Sequence, residues 1–161
     1  MTRPRTLLIL ALLAFLASPP YAQTPEKEFY SVKPVKVSVR EEPETTAKKL
    51  WTMWKFCPVE VVSYRGDWVR VRDFEGDLGW LRKVDLSEIP TVAVVRKDVA
   101  LRKSPAKDGK VLWLLEKGYA LRVFGAKGDW LEVSDLDSAS GWLRTEDAWG
   151  APPPPSAPPE R

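Results

Sequence analysis

In the segment Asp67-Trp68-Val69-Arg70-Val71-Arg72-Asp73, an indole and two guanidinium groups alternate with two valines. An extended chain would put the valines on one face and Trp68, Arg70 and Arg72 on the other. Such a face binds rather than reacts: the ring offers a stacking surface and a guanidinium fork donates paired hydrogen bonds to a carboxylate. Covalent chemistry has little to work with. The 161 residues include no histidine, which removes the commonest general base and metal ligand. The single cysteine, Cys57, lies in the apolar run Phe56-Cys57-Pro58-Val59 with no base spaced beside it, and reads as a small packed residue. Asp73, Glu75 and Asp77 crowd one turn. Paired carboxylates cleave glycosides when held roughly 5 to 9.5 Å apart across a cleft, but acids between two strands read as a solvated turn. The expectation is a non-catalytic protein with no metal and no cofactor.

What positions these residues is a duplication. At an offset of 62, Val37 falls on Val99, Arg40 on Arg102, Pro43 on Pro105 and Leu50-Trp51 on Leu112-Trp113. Gly66-Asp67-Trp68 falls on Gly128-Asp129-Trp130, and Gly79-Trp80-Leu81-Arg82 on Gly141-Trp142-Leu143-Arg144. Both copies alternate with period two, as half-buried strands do: Val35, Val37 and Val39, then Val59 and Val61, then Val69 and Val71, with Val99/Leu101, Leu121/Val123 and Leu131/Val133 in the second copy. Gly66-Asp67 and Gly128-Asp129 stand where hairpins close, and Gly76-Asp77 is a further turn signal. No helical stripe of useful length interrupts them. About five short strands in some 60 residues predict a small closed barrel, marginal alone and therefore packed on its twin. The units run from Tyr30 to Ile89 and from Thr91 to Gly150, with Pro90 at the seam.

Ahead of them, Arg3 and Arg5 precede the apolar run Leu7–Ala17 and Ser18-Pro19-Pro20-Tyr21-Ala22, the order of a secretory signal peptide over residues 1–22 and too short to span a bilayer of about 30 Å. Residues 23–29 form a polar leader. Residues 151–161, Ala-Pro-Pro-Pro-Pro-Ser-Ala-Pro-Pro-Glu-Arg, predict an extended polyproline tail. Without Arg3 and Arg5, 23 basic residues face 22 acidic ones, no footprint for nucleic acid. A periplasmic or secreted protein with no stable membrane insertion after cleavage is expected.

The segments Val37-Ser38-Val39-Arg40-Glu41-Glu42-Pro43, Pro58-Val59-Glu60-Val61, Asp67-Trp68-Val69-Arg70-Val71 and Gly79-Trp80-Leu81 resemble the bacterial SH3-like (SH3b) domain family, with its V-x-V-R-x-x-P stretch, P-V-E-V strand, D-W-x-x-V hairpin and closing G-W-L. Arg102 to Pro105, Gly128 to Val133 and Gly141 to Leu143 carry the likeness a second time. It departs at Glu41-Glu42 and Lys103-Ser104, where the family often has Ser-Gly before the proline. The resemblance implies an all-β fold of two tandem SH3-like barrels, exported and often associated with peptidoglycan or partner proteins.

Residues that differ between the copies narrow the site. Trp54 becomes Glu116, Tyr64 becomes Ala126, Arg70 becomes Glu132 and Arg72 becomes Ser134, so only the first copy keeps a basic, aromatic face. Trp54, Tyr64, Trp68, Arg70, Arg72 and Trp80 are the candidate ligand-binding residues, with Trp68 and Trp80 expected as cross-strand neighbours. The competing reading of the duplicated tryptophans is structural, as covers for the core. The expected partner is peptidoglycan or an envelope peptide or protein; the alternative is an assembly accessory that scaffolds another envelope protein.

Overall fold

The computed structural model describes residues 27–151; the expected signal peptide and the proline-rich tail beyond Ala151 lie outside the described residues. Seven strands build the first unit: β1 Phe29–Val32, β2 Lys36–Arg40, β3 Lys49–Trp54, β4 Pro58–Arg65, β5 Trp68–Arg72, β6 Leu78–Arg82 and, after a 3-10 turn at Lys83–Asp85, β7 Leu86–Ser87. The second repeats them: β8 Thr91–Val94, β9 Val99–Arg102, β10 Val111–Leu115, β11 Ala120–Lys127, β12 Trp130–Ser134, β13 Ser140–Arg144, a 3-10 turn at Thr145–Asp147 and β14 Ala148–Gly150. Each unit is one antiparallel sheet, ordered β3-β2-β6-β5-β4-β1-β7 and β10-β9-β13-β12-β11-β8-β14. The expected five strands, β2 to β6, are thus extended by β1 and β7, which pair beside β4.

Each sheet curls around a single core. Val32, Val39, Met53, Val59, Val69, Val71 and Leu81 are buried together in the first barrel. At the offset of 62 stand Val94, Leu101, Leu115, Leu121, Leu131, Val133 and Leu143, buried together in the second. Period-two alternation therefore does what it implies, sending one face of each strand inside. Val35 is the exception: it precedes β2, is exposed, and offers its carbonyl to the Lys55 N–H instead of its side chain to the core. The loop bonds repeat as faithfully as the core. Lys33 N–H to Asp85 O becomes Val95 N–H to Asp147 O, and Lys83 N–H to Asp67 O becomes Thr145 N–H to Asp129 O.

Two local devices shape each barrel. The hairpin joining β4 to β5 turns on two residues, Gly66-Asp67, with Gly66 at φ 57°; Gly128 repeats this at φ 56°. That left-handed value is open to glycine and costly for most other residues. The second device is Gly79, whose missing side chain lets β6 cross against β2. A Cβ there would collide with the Val39 side chain and crowd the Arg40 carbonyl and the Trp51 ring, and at Gly141 it would strike the Arg102 carbonyl at 2.5 Å. The recurring arginines hold the neighbouring loop: Arg40 Nη1 donates to Ala47 O at 2.7 Å and Arg102 Nη1 to Gly109 O at 2.8 Å.

The barrels touch through apolar and charged contacts. Phe29 meets Trp149 edge to face at 5.1 Å, and Lys117 bridges to Glu75 at 2.7 Å. Gly118 lies against the Phe74 ring and Gly150 against Pro58. Trp149 has no counterpart in the first copy, where Ser87 stands; its role is this contact.

Asp73 and Asp135 organise the loops after β5 and β12. Asp73 Oδ1 accepts the N–H groups of Glu75 and Asp77, and Asp135 Oδ1 accepts those of Asp137, Ser138 and Ala139. Burial alone would raise the Asp135 carboxyl; the Tyr119 hydroxyl, donating at 2.6 Å, and the three N–H groups outweigh it and hold it at about 2. A pKa below the ordinary 3.8 means that ionised Asp135 stabilises the fold above pH 3.8, and that this contribution vanishes as pH falls through about 2. The stability difference between the native chain and Asp135→Asn, measured by urea unfolding, should therefore be present at pH 6 and shrink towards zero near pH 2. Gly79→Ala should cost about 2 kcal/mol in the same measurement, because backbone and core both obstruct the new methyl.

Candidate binding groove

Strand pairing assembles the outer face of the first barrel. Arg70 pairs with Trp80, Trp68 with Arg82 and Arg72 with Leu78 across β5 and β6, while Arg40 of β2 pairs with Trp80 from the other side. Trp80 is thus flanked by Arg40 and Arg70, and Trp68 is its diagonal neighbour, the arrangement expected from alternation. Farther out, Arg40 pairs with Lys49 of β3.

Two shallow hollows open on this face. One, about 260 Å³, is lined by Lys36, Ser38, Arg40, Trp68, Arg82 and Asp85 among others. The next, about 330 Å³, is lined by Lys36, Val37, Ser38, Lys49, Thr52 and Trp54. They share Lys36-Val37-Ser38, so the two hollows adjoin along β2 and together form a grooved face from Trp68 to Trp54. Four cations, Lys36, Arg40, Lys49 and Arg82, line it against the single carboxylate of Asp85. Trp54 is 59% exposed at its far end.

The six sequence candidates divide in space. Trp54 and Trp68 line the groove, and Trp80 and Arg70 stand in the strands beside it. Arg72 faces Glu60 at 3.5 Å, and Lys27 reaches the same carboxylate at 3.3 Å. In the second copy Glu60 becomes Arg122 just as Arg72 becomes Ser134, so the pair is exchanged together and its divergence has an internal cause. Tyr64 behaves alike. Its hydroxyl donates to Glu28 Oε1 at 2.6 Å, and Glu28 becomes Pro90 where Tyr64 becomes Ala126. Partial burial and that carboxylate push the Tyr64 phenol well above its ordinary value. Tyr64 lines a different hollow, of about 380 Å³, with Tyr30, Lys83, Leu86 and Glu88.

Sequence reasoning missed Lys36, Lys49, Arg40 and Arg82. The first two carry the signal that selected Arg70, since Lys36 becomes Asp98 and Lys49 becomes Val111. Arg40 and Arg82 are identical in both copies, so divergence cannot single them out.

In the second barrel the corresponding tryptophan is covered. Arg144 lies over the Trp130 ring, 5.4 Å from its centroid, and Glu146 holds its guanidinium at 3.1 Å. Trp130 is only 8% exposed. At the position of Glu146 the first copy has Val84, which is exposed and offers no acceptor, and there Arg82 is exposed and Trp68 is half-buried.

The sequence profile of the bacterial SH3 domain family matches residues 33–88 and again 95–150. The chain belongs to that family. No curated protein matches the chain in sequence. Among solved structures it is similar to NlpC2 from Trichomonas vaginalis, with 11% identity, a TM-score of 0.35, and coverage of 78% of this chain and 48% of that one. It is also similar to an NlpC/P60 family protein from Bacillus cereus, with 16% identity, a TM-score of 0.37, and coverage of 76% and 56%. A third is NlpC1 from Trichomonas vaginalis, with 13% identity, a TM-score of 0.34, and coverage of 85% and 50%. The chain spans about half the length of each.

The carboxylates and the thiol take structural places in this bacterial SH3 pair. Asp73 is bonded to its own loop and Glu75 to Lys117 of the other barrel. Cys57 is half-buried against the core, and burial raises its thiol above the ordinary range, which disfavours the nucleophilic thiolate. Among the described residues no group of three potential metal ligands occurs, and no helix is long and apolar enough to cross a membrane.

Glu146→Val should release Arg144 from the ring it covers. Acrylamide quenching of the total tryptophan fluorescence should rise measurably while the far-ultraviolet circular dichroism stays unchanged.

Proposed function

We propose that this chain is an exported, non-catalytic binding protein whose first barrel holds an anionic ligand of the cell envelope in the groove between Trp68 and Trp54. The half-buried Trp68, which lines a hollow with the exposed Arg82, set against the covered Trp130 beneath Arg144, carries the reading. Two copies of one fold share the same tryptophan and arginine, and only one leaves them accessible. Four cations around two indoles suit a carboxylate-bearing peptide such as a peptidoglycan stem peptide. The guanidiniums would donate charge-assisted hydrogen bonds and the rings would stack on apolar or sugar portions. Arg70 and Trp80 extend that surface along β5 and β6. The groove is shallow, which fits a linear ligand better than an enclosed small molecule. The resemblance of the barrels to domains that associate with peptidoglycan supports the same choice.

The test is retention of the purified chain on isolated sacculi. Trp68→Ala together with Arg82→Ser should reduce retention at least about tenfold, the loss of one stacked ring and one charged hydrogen bond. Val84→Glu should do the same without removing any groove residue, by supplying the acceptor that lets Arg82 lie down over Trp68 as Arg144 does over Trp130. Val84 is 65% exposed, so the fold should tolerate the change. Retention unaltered by all three substitutions, in variants with native circular dichroism, would reject the groove as the binding site.

A further inference from the structure

The strand that occupies the place of β3 in the second barrel has lost every polar residue. β10 reads Val111-Leu112-Trp113-Leu114-Leu115, where the first copy has Lys49-Leu50-Trp51-Thr52-Met53. It ends its sheet, pairing with β9 on one side only. Half of its backbone N–H and C=O groups therefore point away from any strand. Leu115 is buried in the core, but Val111, Leu112, Trp113 and Leu114 are all exposed, Trp113 by 50% and Leu114 by 63%. A bulge at Leu112, the extra residue between the Val111 and Trp113 pairings, breaks the alternation that would otherwise turn half of them inside. Sheet edges are ordinarily blunted by charge or proline, and β10 carries neither.

Charge at its two ends identifies the occupant. The segment runs Lys110-Val111-Leu112-Trp113-Leu114-Leu115-Glu116, and it is complementary to itself read backwards. When two copies pair antiparallel about a twofold axis at Trp113, Trp113 faces its own counterpart, Leu112 faces Leu114 and Val111 faces Leu115. One step farther out, Lys110 faces Glu116 of the second copy, and by symmetry Glu116 faces its Lys110. Both side chains are exposed, and neither is in an ion pair among the described residues. The first copy lacks this property: about Trp51 the same register sets Lys48 against Trp54 and Lys49 against Met53.

We infer that β10 is a homodimerisation edge, joining two chains through antiparallel β10 strands in the register centred on Trp113. The inference is independent of the groove, which lies on the other barrel, and gives a dimer two grooves with which to hold a polymeric ligand. The buried patch is small, so the dissociation constant belongs in the micromolar range.

Sedimentation equilibrium of the full chain as isolated from cells, taken up to roughly millimolar concentration, reads the association directly. Leu114→Lys, at a site too exposed to unsettle the core, should leave the chain monomeric. Lys110→Glu alone and Glu116→Lys alone should each weaken self-association by about tenfold, because each replaces two attractive pairs with two repulsive ones. An equimolar mixture of these two variants should associate at least as well as the native chain, since every facing pair is then opposite in charge. A chain that stays monomeric throughout, a dimer unaffected by Leu114→Lys, or single variants that the mixture fails to rescue would each overturn the assignment. Circular dichroism of each variant establishes that a monomer is folded.

Discussion

The close approach of β6 to β2, and of β13 to β9, is the constraint on which each barrel rests. One paired register per copy joins these strands, Arg40 with Trp80 and Arg102 with Trp142. Only a glycine at Gly79 or Gly141 leaves room for the facing carbonyl and core side chain. Without that crossing the sheet would stay open at β2, and Val39 and Leu81 would lose the shared interior that buries both completely. The same crossing puts Trp80 between two arginines and brings Trp68 within reach of Lys36 and Ser38. One steric allowance thus closes the core and creates the outer groove.

Duplication then lets the two copies specialise without disturbing what holds them up. The seven shared core positions and the loop bonds recur at the same offset, so the backbone is a fixed frame. Differences accumulate outside it. In the first barrel β3 keeps Lys49 and Thr52 and lines a basic groove; in the second, β10 has become apolar and Glu146 pins Arg144 over Trp130. Where the first copy has Val84 the second has Glu146, ion-paired to the Arg144 that lies over Trp130.

Divergence between copies has two distinct causes, and separating them matters for reading any tandem repeat. Arg72 with Glu60, and Tyr64 with Glu28, change in concert with a partner inside the chain; for the buried Glu60 carboxylate this avoids leaving a charge unmatched, while the Tyr64–Glu28 hydrogen bond is exposed. Lys36, Lys49, Trp54 and Arg70 make no side-chain hydrogen bond or ion pair among the described residues, and three of those four line the groove. The seam between the barrels follows a third pattern. Trp149 and Gly118, which make contacts across it, occur only in the second copy because the contact is used once.

The all-β class, the repeat and its offset, the inward valines and leucines, the hairpin glycines and the placing of Trp68 and Trp80 on adjacent strands, where they are diagonal neighbours, were legible in the chain alone. Alternation and fixed spacing are local properties, and a strand cannot bury both faces of an amphipathic segment. Which outer residues are free was not legible. Arg72 and Tyr64 read like Arg70 and Trp54 until folding brings Glu60 and Glu28, 12 and 36 residues away, against them. Arg82 and Arg144 are the same residue in the same motif, yet one borders an open hollow and the other covers a ring. Accessibility depends on what distant segments place beside a side chain, and only the curled sheet determines that.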